Sequence, residues 1–171
     1  MDGEKNMPEY KKDISLEMKF SKTIKGILGN YFFIKDDIHD HQNGTDFCIF
    51  MLFPKRIRVA TRLRRFKHFK NYGDQFTIRW SRPSGEPTEI DKINWGLVDY
   101  FLYGFVDQKE EKIIKYFLGD LAVFRNEKPN PFEIRNNFPF DSQLGCFKIS
   151  QLSKKFILHS YSLEANNVRL D

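Results

Sequence analysis

Residues 44–92 contain most of what the sequence says about the fold: GTDFCIFMLFPKRIRVATRLRRFKHFKNYGDQFTIRWSRPSGEPTEIDK. Three runs in this stretch are apolar or alternating, which is typical of β-strands: 46–52, 56–66 and 75–82. Short connections favour antiparallel neighbours, so we expect these strands to form a meander. Thr88 can cap a short helix over about 88–96, and Gly96 can end it.

The flanking segments extend this pattern. Leu16, Phe20 and Ile24 recur at four-residue steps and predict an amphipathic helix over about 14–29. Further strands are predicted towards the C-terminus: 100–106, 113–118, 147–149 and 156–162. The sequence therefore predicts a mixed α/β (α+β) fold with a central mixed sheet and C-terminal β additions.

The bulk composition limits the classes of protein. The chain has 171 residues, of which 40% are hydrophobic, enough for a packed core. We expect a flexible arm over 1–12 and a single domain over 13–171. Because residues 1–12 are polar and charged, we expect no signal peptide, and no apolar run approaches roughly 20 residues. A cytoplasmic protein without membrane contact is therefore expected. Cys48 and Cys146 lack zinc-ligand spacing and are expected to be reduced, buried thiols.

Positive charge is concentrated in one block. The chain has a formal charge of +5, yet residues 55–70 alone contain eight Lys and Arg and no Asp or Glu. Strand alternation places Arg58, Arg62 and Arg64 on one face, a spacing that suits a row of phosphates. An exposed strand kept from aggregating by its charge is the alternative. The expected nucleic-acid-binding residues are Arg58, Arg64, Arg65, Lys67, Arg79 and Arg82.

Acidic residues accompany these cations. Asp46 begins an apolar strand, where a carboxylate can bind Mg²⁺, although it can equally cap a turn. Glu89 and Lys92 are three residues apart and so lie on one side of the short helix. They can serve as a metal ligand and a charge-stabilising ammonium, or form an ordinary surface salt bridge.

The order helix–strand–strand–strand–helix–strand, with the pattern GTDF…RIRVATRLRR…FTIRW…SGEPTEIDKI…DYFLYGF, resembles the PD-(D/E)XK nuclease superfamily. It also looks like phage and mobile-element proteins related to that superfamily. The resemblance covers about residues 14–106. It implies an αβββαβ restriction-endonuclease-like core, a Mg²⁺ or Mn²⁺ cofactor, a metal-binding Asp46 and a contributing Glu17.

The second strand departs from the family pattern. Family members carry an acid and a Lys two residues apart there, whereas Ala60 and Arg62 occupy these positions here. The resemblance then implies that the following helix supplies the missing groups. Under this interpretation Asp46 and Glu89 bind the metal, and the expected catalytic set is Asp46, Glu89, Lys92, Arg62 and Glu17.

Two interpretations of function follow. The first is a metal-dependent phosphodiesterase, an endonuclease or exonuclease, acting on DNA in preference to RNA. The alternative is a catalytically inactive protein of the same fold that binds nucleic acid or a protein partner. Sequence leaves open whether the chain forms a homodimer.

Overall fold

The structure is a computed structural model that describes residues 15–32, 57–137 and 142–163. The chain divides into two compact units, Met1–Arg56 and Ile57–Asp171. The expected arm over 1–12 lies outside the described residues, and the expected single domain stays a prediction.

The described part of the first unit is helical. Residues 15–19 form a helix, and α1 (Ser21–Phe32) follows it. Leu16, Phe20 and Ile24 are buried, as the predicted apolar stripe requires. The helix continues through Gly29 to Phe32, so the expected stop at Gly29 is wrong.

The second unit contains the remaining described elements. Its helices are α2 (Phe66–Tyr72), α3 (Glu89–Asn94) and α4 (Leu121–Glu127), with a 3₁₀ turn at Ile149–Gln151. Its strands are β1 (Val59–Arg64), β2 (Gln75–Ser81), β3 (Tyr100–Val106), β4 (Ile113–Asp120), β5 (Glu133–Asn136), β6 (Gln143–Lys148) and β7 (Ile157–Ser162). None of the helices in the described ranges is long and apolar enough to cross a bilayer.

The strands form two sheets. One has the order β1-β3-β4-β7, with β1 parallel to β3 and the other pairs antiparallel. The other has the order β2-β6-β5 and is antiparallel throughout. This arrangement confirms the mixed α+β class with a mixed sheet and additional C-terminal strands.

The expected antiparallel pairing of 56–66 with 75–82 is wrong, because β1 and β2 belong to different sheets. The reason lies in the segment between them. The predicted strand ends early, at Arg64, and α2 begins directly after Arg65. Phe69 of α2 packs on Phe105 of β3, with ring centroids 5.5 Å apart. The helix therefore docks on β3 and prevents a tight hairpin between β1 and β2.

An aromatic core joins the elements of the second unit. Phe76 of β2 is fully buried and contacts five other rings at centroid distances of 5.2 to 6.1 Å: Phe101, Tyr103, Phe117, Phe147 and Phe156. Each fully buried ring of this kind contributes about 1.5–3 kcal/mol through loss of water contact. The core therefore fixes the backbones of the strands that carry the charged residues.

Cys146 is a free, buried thiol in β6, as predicted, and burial raises its pKa. Cys48 lies outside the described residues.

Candidate functional site

Arg62 is the residue around which the predicted site residues meet. In the parallel pairing of β1 with β3, Arg62 lies opposite Tyr103, so its side chain starts on the sheet face that carries the aromatic core. Its Nη1 donates to the carbonyl oxygen of Thr77 on β2 at 3.0 Å, and its Nη2 donates to Oε1 of Glu89. The side chain is 16% exposed. Arg62 therefore ties β1 to β2 and α3.

Both carboxylate oxygens of Glu89 accept hydrogen bonds from the protein. Oε1 accepts from Arg62, and Oε2 accepts from the backbone N–H of Arg79 at 2.8 Å. This second contact uses the backbone of Arg79 and not its guanidinium. A guanidinium and an amide N–H therefore each occupy one acceptor site of this carboxylate, and Glu89 forms an ion pair with Arg62. Its expected role as a metal ligand stays a prediction.

The start of α3 explains why Glu89 points this way. Thr88 precedes the helix, and its backbone N–H and hydroxyl donate to Oδ2 of Asp91 at 2.8 and 2.9 Å. These two bonds, with the backbone bond the stronger, lower the pKa of Asp91. Thr88 is buried, so this cap fixes the first turn and directs Glu89 towards β1 and β2.

Three of the predicted nucleic-acid-binding arginines are ion-paired with acids. Arg58 binds Asp99 through its backbone N–H at 2.9 Å and through Nε at 3.2 Å. The other two pairs are Arg65 Nε to Glu110 at 2.8 Å and Arg82 Nη1 to Glu86 at 2.7 Å. The expected row of arginines is thus present, but it is not free of acids.

Three other cations were predicted to bind nucleic acid. Arg64 ends β1 and Arg79 lies in β2, both half-buried, while Lys67 is exposed on α2. Lys70, which was not in the predicted set, is also exposed on α2. The ammonium of Lys70 lies 5.5 Å from the centre of the Phe66 ring. Within 57–72, therefore, cations follow the strand and continue onto the helix.

The structure describes two of the remaining predicted catalytic residues, Lys92 and Glu17, and they belong to different units. Lys92 is exposed at the end of α3 and forms no ion pair with a described residue. Glu17 lies half-buried in the helix at 15–19 of the first unit. Asp46 lies outside the described residues, so its expected meeting with Glu89 stays a prediction. The described ranges contain no group of three or more His, Cys, Asp or Glu side chains placed to hold a metal ion.

Sequence reasoning missed three residues that shape this region. Asp99 is the partner of Arg58, and Arg125 of α4 donates to the carbonyl oxygens of Ile93 and Val98. Trp95 is the third, because its side chain is 60% exposed. The first two pairings span at least 27 residues of sequence, so no local pattern signals them. Trp95 precedes the helix-ending Gly96, and this position in the sequence indicates that it lies in a turn.

No family model, curated protein or solved structure matches this chain.

Proposed function

We propose that this protein binds nucleic acid through a basic surface formed by residues 57–72, which include β1 and α2, and that it does not hydrolyse the nucleic acid. The observation that supports this proposal is the distribution of charged residues along the chain. Residues 57–72 contain six Lys and Arg and no Asp or Glu, while the whole chain has a formal charge of +5. The rest of the chain therefore has a formal charge of −1, and three of its acids, Glu89, Asp99 and Glu110, pair with arginines of the basic surface.

The ion pairs within the basic surface are compatible with phosphate binding. A guanidinium has five N–H donors in a planar fork, and one carboxylate satisfies two of them at most. Arg58 remains 43% exposed although it is paired with Asp99. Acid partners of this kind hold the guanidinium in one orientation, which lowers the entropy lost when a phosphate binds.

The hydrogen bonds that Glu89 already accepts favour binding without hydrolysis. Each of its oxygens already accepts a hydrogen bond from a protein donor, and its partner Arg62 is a poor activator of water because a guanidinium stays protonated. Arg62 and Glu89 together join three elements, a structural role that needs no reaction to explain it.

The test is the salt dependence of binding, measured by fluorescence anisotropy with labelled single- and double-stranded oligonucleotides. Each phosphate contact contributes about −0.7 to −0.9 to the slope of log affinity against log salt. Replacing Lys67 and Lys70 by Gln should make that slope shallower by about 1.5. The matched control replaces Lys154 and Lys155, which are exposed before β7 and outside the basic surface, and it should leave the slope unchanged.

Two outcomes would count against the proposal. Affinity that is flat across salt concentration, or an equal loss in the control variant, would show that the basic surface is not the binding site. Cleavage of the oligonucleotide with Mg²⁺ or Mn²⁺ that disappears in Glu89→Gln would instead favour the nuclease interpretation.

A further inference from the structure

The turn that follows α3 presents two large apolar side chains to solvent. Trp95 is 60% exposed and Leu97 is 47% exposed. Trp95 is the most exposed large apolar side chain described in the Ile57–Asp171 unit. Both residues belong to the connection between α3 and β3.

This exposure does not come from a loose loop. The backbone N–H groups of Gly96 and Leu97 donate to the carbonyl oxygens of Ile93 and Lys92 at 2.9 and 3.0 Å, and Gly96 has φ +69°. This is the hydrogen-bond pattern that closes a helix with a left-handed glycine. The backbone N–H of Trp95 donates to the carbonyl oxygen of Asp91 at 2.9 Å.

Two arginines from other elements hold the same turn. Arg58 Nη2 donates to the carbonyl oxygen of Gly96 at 2.6 Å. Arg125 Nη1 donates to the carbonyl oxygens of Val98 at 3.1 Å and Ile93 at 3.3 Å. Backbone groups on both sides of Trp95 are thereby fixed, and the indole is held outwards on a rigid support.

Two cations lie near Trp95. Arg58 begins the basic surface and also contacts the residue after Trp95. Lys92 lies three residues before Trp95, exposed on the last turn of α3. Two acids lie near this turn. Asp99 is only 15% exposed and accepts from Arg58 at both of its oxygens. Asp91, one helical turn before Trp95, accepts from Thr88. Lys92 and the exposed part of Arg58 therefore connect the indole to the basic surface.

We propose that Trp95 is a stacking platform for an unpaired base of single-stranded nucleic acid, with Arg58 and Lys92 facing the neighbouring phosphates. An exposed aromatic ring beside a row of cations is the combination that single-strand-binding surfaces use, because every base has a π-face. A duplex keeps its bases stacked inside and offers none to the ring. This inference rests on the proposed function and narrows its ligand to a single strand.

The experiment uses the full chain and an oligothymidylate about 15 nucleotides long. The chain has two tryptophans, so Trp80→Phe leaves Trp95 as the sole indole fluorophore. Binding should quench its emission. Trp95→Ala should weaken binding about 5- to 100-fold at every salt concentration, with an unchanged salt slope because stacking releases no counterions. Trp95→Phe should retain most of the affinity.

The controls separate stacking from folding. Because Trp95 is exposed, Trp95→Ala should leave the urea midpoint unchanged, and duplex of the same length should bind both proteins equally. Oligothymidylate that binds without quenching, and equally to Trp95→Ala, overturns this inference while the proposed function survives. No binding of any nucleic acid overturns both. Quenching that depends on protein concentration alone would assign Trp95 to a contact between copies and would also overturn the inference.

Discussion

The pair formed by Arg62 and Glu89 is expected to stabilise the second unit, and its contribution can be worked out from its contacts. Replacing Arg62 by Met removes two hydrogen bonds from a charged donor that is 16% exposed, one to Thr77 and one to Glu89. Such bonds contribute about 1.5–3 kcal/mol each, and the 34% exposure of Glu89 argues for the lower part of that range. The expected loss is about 3–4 kcal/mol.

Glu89→Gln tests the other partner while keeping the shape of the side chain. Glu89 accepts from Arg62 at one oxygen and from the Arg79 N–H at the other, so an amide group must face one of these donors with its NH₂. We expect a loss of about 1–2 kcal/mol. The double variant should lose about 1–2 kcal/mol less than the sum of the two single losses, because the same contact is removed in each.

The assay is urea unfolding followed by tryptophan fluorescence. With a urea dependence of about 1–3 kcal/mol per molar, a loss of 2 kcal/mol shifts the midpoint by about 1 M. Arg82 and Glu86 provide the matched control, since they form an i,i+4 pair in which Glu86 is 68% exposed. Arg82→Met and Glu86→Gln should couple by no more than about 0.5 kcal/mol. Single losses below about 0.5 kcal/mol at Arg62 and Glu89, with additive effects, would refute the reasoning.

Two further predictions concern the cap of α3 and the core. Asp91→Asn should destabilise the protein by about 1 kcal/mol near neutral pH, because it weakens the acceptor for Thr88. The lowered pKa of Asp91 means that its carboxylate contributes stability above its ordinary pKa of 3.8, and that this contribution is lost as the pH falls below that value. The variant should therefore lose less stability than wild type on acidification below about pH 4, and an equal loss would contradict the cap. Gly119→Ala should cost about 1–3 kcal/mol in urea unfolding, because the added Cβ would lie 2.4 Å from the buried ring of Phe156. A midpoint equal to wild type would show that this ring can move aside.

Local sequence signals predicted several elements well, and the structure shows why. The bounds of β3 agree with the predicted 100–106, because a continuous apolar run is typical of a strand buried on both faces. Thr88 and Gly96 bracket α3 as predicted, because capping residues act within one turn. These outcomes depend only on neighbours in sequence.

Pairings between distant segments could not be predicted in the same way. The arginine run was expected to be one strand through residue 66, whereas β1 ends at Arg64 and α2 follows because Phe69 packs on Phe105. The parallel pairing of β1 with β3 likewise leaves no local trace. At the candidate site, the charges of Arg62 and Glu89 were visible in sequence, but their mutual contact required the register of two sheets.

The contact between Arg62 and Glu89 also affects how tightly Glu89 could bind a metal ion. A divalent cation at Glu89 would have to displace the guanidinium of Arg62 from Oε1 and would then face an unpaired positive charge beside it. The favourable interaction between Arg62 and Glu89 must be lost when the metal binds, so the free energy of metal binding is reduced by the coupling free energy of the pair. About 1.4 kcal/mol of coupling corresponds to a tenfold loss of metal affinity. A metal site would therefore bind more tightly after Arg62→Met. A phosphate-binding surface gives no such gain in metal affinity, because added Mg²⁺ then only competes for the phosphates. The affinity of Arg62→Met for Mg²⁺, compared with that of wild type, therefore separates the two functions.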